Sequence, residues 1–380
     1  MAPVSPDAIT QAVLSRAEVV RYLQGGHGRS VHEAEERIHG YLEELRTTQR
    51  YPMYRALKHP LYPILRKIDR QQERVEIAQA ATRAGRVIYA SNHKSHIDYL
   101  AEPLVLDDNG VRPPIIAAGI NLFGGALGLL HKHVTGAIPI RRNTKDPAYL
   151  ITLKAYVAEL LQRHDLFIYP EGGRSYSGEI KPIKTGLLHA ALQARRPDLV
   201  VVPVAIAYDL VLEDHVLARQ GVKRRQRPFA REIAELVRYA VGYQSRAIVT
   251  FGPPIPLAHY DPDSRRSVVD LARRTREAIG KQYKVLATAI VAAAMRPSIR
   301  RPDLRARVDE LLEVLRLAGA NLGVTSASQA LDEATELLAS RGIIVVESDR
   351  FRVRDRQVLR YYARTIQHLL TDRGGSVLTH

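Results

Sequence analysis

Between residues 86 and 251 short apolar runs alternate with segments of helical period, and that alternation leaves few folds open. The apolar runs lie at 86–90, 114–118, 136–140, 166–169, 199–207 and 246–251. Helices are expected between them at 96–106, 122–132, 147–163 and 185–194. Strands that alternate with helices predict an α/β domain, a mostly parallel mixed sheet flanked by helices. Val200-Val201-Val202-Pro203-Val204-Ala205-Ile206 is nearly all apolar, as a strand covered on both faces must be.

The flanks read differently. Segments 7–24, 31–47 and roughly 53–83 carry helical periodicity, with Ile38, Leu42 and Leu45 as one apolar face. From 263 the chain is helical again. Its last unit, 326–372, reads as a helix, a hairpin at 343–347 and 351–353, and a helix through Tyr361 and Tyr362. The expected organisation is a helical region at 1–83, the α/β domain at 84–262, and a helical region with a small hairpin at 263–380.

Composition narrows the chemistry. The chain has no cysteine, so disulfides, thiolate nucleophiles and zinc–cysteine sites are excluded. Its formal charge of +16 attracts polyanions: phosphorylated substrates, anionic lipid or nucleic acid. Part of that charge is a basic run at 219–231, with Lys223, Arg224, Arg225, Arg227 and Arg231; it suits a solvated loop or an anionic surface. Its first residues, Met-Ala-Pro-Val-Ser-Pro, lack the basic and apolar regions of a secretory signal. The most apolar stretches, 115–130 and 285–295, are too interrupted or too short to span a bilayer.

Directly after the first strand of the domain comes Asn92-His93-Lys94-Ser95-His96-Ile97-Asp98. A His can take a proton from a hydroxyl when a carboxylate orients its ring and stabilises the imidazolium. Five residues apart on one helix, His93 and Asp98 would diverge by about 140° around the axis. His93 must therefore precede the helix and fold back over its first turn, with Ser95 as the expected N-cap and Asp98 third in the helix. Amides of that turn could stabilise an oxyanion. Two other readings stay open: Ser95-x-x-Asp98 as a simple capping box, and metal binding by His93, His96 and Asp98.

Other strand ends carry candidate anion sites. Pro170-Glu171-Gly172-Gly173-Arg174-Ser175-Tyr176-Ser177-Gly178 follows the strand at 166–169. Its glycines permit close backbone approach, and an arginine there can hold a phosphate by two hydrogen bonds. It is not a nucleotide P-loop, because Glu179-Ile180 stand where Lys-Ser/Thr is required. Arg141 and Arg142 end the strand at 136–140, and Lys184 precedes Thr185-Gly186. Each of these charges alone could be solvated surface. A His/Asp pair and several cations after successive strands of one domain suit a site for a phosphorylated hydroxyl compound.

In this order the segments resemble the glycerolipid acyltransferase superfamily, and within it the bacterial and mitochondrial-type glycerol-3-phosphate acyltransferases. The four blocks are His93 through Leu100, Gly136 through Arg142, Glu171 through Gly178, and Val202-Pro203-Val204 with Tyr208. The resemblance is strong over about 85–260. It implies a glycerol-3-phosphate 1-O-acyltransferase, with His93 and Asp98 catalytic. Arg141, Arg142, Glu171, Gly172, Gly173, Arg174, Ser175, Lys184 and Pro203 would then be substrate-binding. Gly173 stands where lysophosphatidate acyltransferases usually carry Thr, which favours glycerol 3-phosphate as acceptor. Pro139 and Tyr176 depart from the usual blocks.

The implied co-substrate is a fatty acyl thioester, acyl-CoA or acyl-carrier protein, with no metal or redox cofactor. The implied place is the cytoplasm, peripheral on the anionic inner face of the membrane. The rivals are a dihydroxyacetone phosphate or lysophospholipid acceptor and, in another class, a basic nucleic-acid-binding protein. Nucleic acid is not the expected partner, because that reading leaves the His-Asp and Glu-Gly-Gly-Arg blocks unexplained.

Overall fold

The computed structural model describes residues 6–25, 30–56, 68–124, 129, 132–220 and 245–370. Its centre is a sheet of eight strands: β1 (Ile68–Glu73), β2 (Arg86–Ser91), β3 (Ile115–Gly119), β4 (Ala137–Ile140), β5 (Leu166–Ile168), β6 (Leu199–Tyr208), β7 (Ser245–Phe251) and β8 (Ile255–Pro256). The order is β1-β7-β6-β2-β5-β3-β4, with β8 on β6. From β6 to β4 all neighbours are parallel. The strand β7 is antiparallel to β6 and parallel to β1. Because β2, β3, β4 and β5 are parallel, their C-terminal ends share one edge, where ligands dock in open α/β sheets.

Every residue of β6 except Val200 is buried, as its apolar run requires. Pro203 has no N–H for a ladder. Its carbonyl accepts from the Gly252 amide at 2.8 Å, so its backbone polar side faces away from β2. On that side β8 pairs only Val200 and Val201, and β7 begins at Val204. The proline thus occupies the gap between two ladders. Beside it, Tyr89 stacks on Phe167 at 6.0 Å and meets Phe251 edge-on at 6.4 Å.

The expected helix at 53–83 is corrected over its second half. Residues 68–73 are β1, an edge strand, followed by the helix Val75–Ala84. Asp-Arg-Gln-Gln-Glu is too polar to announce a strand, yet an edge strand tolerates that polarity. The expected helix at 7–24 is two, Pro6–Leu14 and Ala17–Gln24. Arg16 breaks it in extended backbone, because its guanidinium binds Glu18, Glu159 at 2.8 Å and the Gln193 carbonyl. The helix Val31–Leu45 buries Ile38, Leu42 and Leu45 as expected. Arg37 and Tyr41 on it bind Asp146, which also caps the helix Pro147–Leu160.

C-terminal to the sheet lie the helices Arg265–Gln282, Ala287–Ala294, Arg301–Leu317 and Ala327–Ser340. The expected hairpin is Ile344–Glu347 with Arg350–Val353, and Ser298–Arg300 adds a third antiparallel strand. The helix Arg356–Arg364 follows it. The expected helix at 122–132 and the basic run from Lys223 to Arg231 lie outside the described residues, in whole or in large part. Among the described residues no helix is long and apolar enough to cross a membrane.

Candidate active site

His93 lies in the loop leaving β2 and does fold back over the next helix, Asp98–Asp108. Its Nδ1 is 2.8 Å from Asp98 Oδ2. Its ring stacks on Tyr169 at 4.3 Å, just past β5. Asp98 is fully buried and well supplied with donors. The amides of Lys94 and Ser95 donate to it at 2.6 and 2.9 Å, and the Tyr208 hydroxyl at 2.6 Å. Burial lowers the His93 pKa, although Asp98 opposes the shift. The imidazole is therefore held neutral and oriented, as a base needs.

Two expectations about this turn are corrected. Asp98 is first in the helix, not third, and Ser95 is not its N-cap. Ser95 Oγ instead donates to Glu213 at 2.8 Å. The amides expected to stabilise an oxyanion are also taken. Lys94 and Ser95 give theirs to Asp98, His96 to Glu213 at 2.8 Å, and Ile97 to Ser95 Oγ. Among the described residues no three His, Asp or Glu gather as metal ligands do.

Below His93 the support continues. Tyr169 donates to Glu102 at 2.8 Å, and Ser91 donates to the same buried carboxyl. Burial, with Asp98 nearby, raises the Glu102 pKa well above its ordinary value. Lys94 Nζ donates to the Gly178 carbonyl, and burial lowers its pKa to about 8.

The Glu171–Gly178 turn docks on this segment through the Ser175 amide, which donates to the His93 carbonyl at 2.8 Å. Glu171 accepts from the Lys181 amide at 3.0 Å, and Ser175 Oγ donates to the Glu179 carbonyl at 2.6 Å. Arg174 pairs with Glu213 at 3.4 Å. Gly172 has φ +73°, and a Cβ there would lie 2.8 Å from Lys184 Nζ. A Cβ on Gly173 would lie 3.7 Å from Arg142 Nη1. The turn thus gathers Arg142, Arg174 and Lys184 beside the His-Asp pair. All line one cleft of about 1760 Å³ with His93, Tyr169, Glu171, Gly172 and Gly173.

Arg141 and Arg142 part company. Arg141 lines the cleft but is bound bidentately by Glu44 and lies over the rings of Tyr41 and Tyr149. Arg142 makes no hydrogen bond or ion pair with a described residue. Pro203 does not line the cleft, since it belongs to the sheet. Tyr208, five residues later, is the part of its strand that reaches Asp98. Sequence reasoning missed Tyr169, Glu102 and Glu213. A tyrosine at a strand end next to Pro170 was the one available signal; nothing local marks the two acids.

Gly178 ties the turn to the C-terminal helix. Its φ is +87°, and a Cβ there would fall 2.1 Å from the Tyr361 carbonyl oxygen. Gly178→Ala is expected to lower the melting temperature, by left-handed strain of about 1–3 kcal/mol plus displacement of the helix. Gly40→Ala is the control. It lies within the helix Val31–Leu45 with nothing near its Cβ, and should hold or raise that temperature.

Residues 72–207 match the protein-family model described as "Acyltransferase". The glycerol-3-phosphate acyltransferase of Aeromonas hydrophila is 28% identical over 90% of this chain and 47% of its own length. That of Glaesserella parasuis is 29% identical over the same shares. A Mycobacterium tuberculosis protein named "Putative acyltransferase plsB1" is 27% identical over 98% of this chain and 65% of its own length. The chain spans about half the length of the first two relatives. Motif order, sheet and site agree with these likenesses, and residues 72–207 are the stretch similar to the acyltransferase family model.

Proposed function

We propose that this chain is a glycerol-3-phosphate 1-O-acyltransferase that makes lysophosphatidate from a fatty acyl thioester. The observation that carries this reading is the oriented, neutral His93 sharing a cleft with Arg142, Arg174 and Lys184. A base beside a cation cluster suits an acceptor that bears both a hydroxyl and a phosphate. The likeness to proteins named glycerol-3-phosphate acyltransferase supports the same acceptor, and Gly173 favours it over a lysolipid.

In this reading the free nitrogen of His93 takes the proton of the sn-1 hydroxyl. The oxygen bonds to the thioester carbonyl carbon, and a tetrahedral oxyanion forms. The oxyanion collapses, the carbon–sulfur bond breaks, and the proton passes from His93 to the leaving thiolate. Asp98 stabilises the imidazolium between the two transfers. With the amides of residues 94–97 committed elsewhere, the developing charge falls to Arg142, Arg174 and Lys184 beside His93. A thioester is already activated, so positioning and one base meet the chemistry without a metal or redox group. The +16 charge supports peripheral attachment to the anionic inner face of the membrane.

The pH dependence follows from burial. The His93 pKa lies below its ordinary 6.5, so the base form is lost only as pH falls through that lower value. The acidic limb of kcat/KM should therefore be centred below 6.5. A limb centred above 6.5 would contradict His93 as the base.

The acceptor is tested with palmitoyl-CoA and a panel of hydroxyl compounds, following thiol release. The chain has no cysteine and adds no thiol background. Release is expected with glycerol 3-phosphate; release only with lysophosphatidate or dihydroxyacetone phosphate would reassign the acceptor.

A further inference from the structure

Among the described residues, nine Lys and Arg side chains line the cleft, against one carboxylate, that of Glu171. That is more charge than one acceptor phosphate needs. Several of the nine are already engaged: Arg141 by Glu44, Arg174 by Glu213, and Arg364 by Glu179 at 3.5 Å. Arg142 and Lys184 lean over the Gly172–Gly173 turn. Arg356 and Arg360 lie on another element, the helix Arg356–Arg364, and neither has a hydrogen bond or ion pair with a described residue.

That helix is a rigid mount. Val358, Leu359, Tyr361 and Tyr362 are buried. Asp355 caps it by accepting the Gln357 and Val358 amides at 3.1 Å. Tyr362 donates to Asp214 at 2.7 Å and accepts from the Val211 amide at 3.0 Å. Both arginines are exposed and line the cleft. Four residues apart, they are about 6 Å apart along the axis on one face. The nearest acid in sequence, Asp355, is occupied by Arg219 at 3.2 Å and His215 at 3.4 Å.

We infer that Arg356 and Arg360 form a second anion site in the cleft, which takes the phosphorylated nucleotide end of an acyl-coenzyme A donor. The inference deepens the proposed function and rests on its acyl-transfer reading. Two planar guanidinium forks suit a ligand with phosphates at two places, as on the 3′- and 5′-positions of one ribose. The cleft, about 1760 Å³, exceeds what one small acceptor fills. A carrier-protein donor would bring only the single phosphate of its pantetheine arm and keep its folded body outside, whereas coenzyme A brings a nucleotide phosphorylated at two places.

The test is binding of adenosine 3′,5′-bisphosphate to the full chain by calorimetry, with Arg356→Ala/Arg360→Ala as the variant. The variant should bind it at least about 10-fold more weakly. Its KM for palmitoyl-CoA should rise by a similar factor. Its KM for glycerol 3-phosphate, and its rate with palmitoyl-N-acetylcysteamine, a donor without phosphate, should not change. Should the alanines lower the melting temperature, Arg356→Gln/Arg360→Gln replaces them. Equal binding by variant and wild type, no binding by wild type, or a loss confined to acyl-carrier protein would overturn the site. Because calorimetry needs no turnover, bisphosphate binding without acyl transfer from any donor would sink the acyl-transfer reading instead.

Discussion

His93→Ala is expected to lose about 10²–10⁴-fold in turnover, the usual contribution of a positioned general base. The fold should survive. Removing the ring takes one of four donors from Asp98 and leaves the Lys94 amide, the Ser95 amide and the Tyr208 hydroxyl in place. Asp98 thus stays hydrogen-bonded in its buried site, and melting should be close to that of the parent. Near-normal turnover in this variant would remove His93 from the chemistry.

Asp98 should separate chemistry from folding when it is changed in two ways. Asparagine can keep its carbonyl oxygen where Oδ2 stands, still accepting from the two amides and from His93. Its amide nitrogen can donate to the Tyr208 hydroxyl, which then accepts. The geometry survives, but the negative charge that stabilises the imidazolium is gone. The loss in turnover should be large but smaller than the about 10⁴-fold of the Asp→Asn change in a Ser-His-Asp triad, where the tautomer is lost as well, and the protein should stay folded. Alanine is different. It strands two amides and a hydroxyl in a site with no solvent access. Each buried orphan costs about 1–3 kcal/mol, so Asp98→Ala should melt far below Asp98→Asn. Equal melting of the two, measured by calorimetry, would mean that Asp98 does not organise this turn.

The alternating strands were legible because a parallel sheet buries both faces, and its strands must then be apolar runs. The edge strand β1 was not, since Asp-Arg-Gln-Gln-Glu carries no such constraint. The His-x4-Asp spacing correctly put His93 ahead of the helix. It misplaced the helix start, because the expectation gave Ser95 to the cap whereas Glu213, over a hundred residues away, holds it. Two adjacent arginines look alike in sequence. Only the packing of the helix Val31–Leu45 against β4 decides that Glu44 takes Arg141. Arg356 and Arg360 were not candidates either, because the turn that brings their helix to the cleft closes through Gly178 and the distant Tyr361. Local pattern carries the scaffold; the cleft's far wall is a long-range contact.

The most direct measurement of the central claim is the product formed from palmitoyl-CoA and sn-glycerol 3-phosphate, identified by mass spectrometry and by the position of the acyl group. The account predicts 1-palmitoyl lysophosphatidate, dependent on both substrates and abolished to within the limits above in His93→Ala. Free palmitate with no acylated glycerol phosphate, or product formed equally by wild type and His93→Ala, would contradict it.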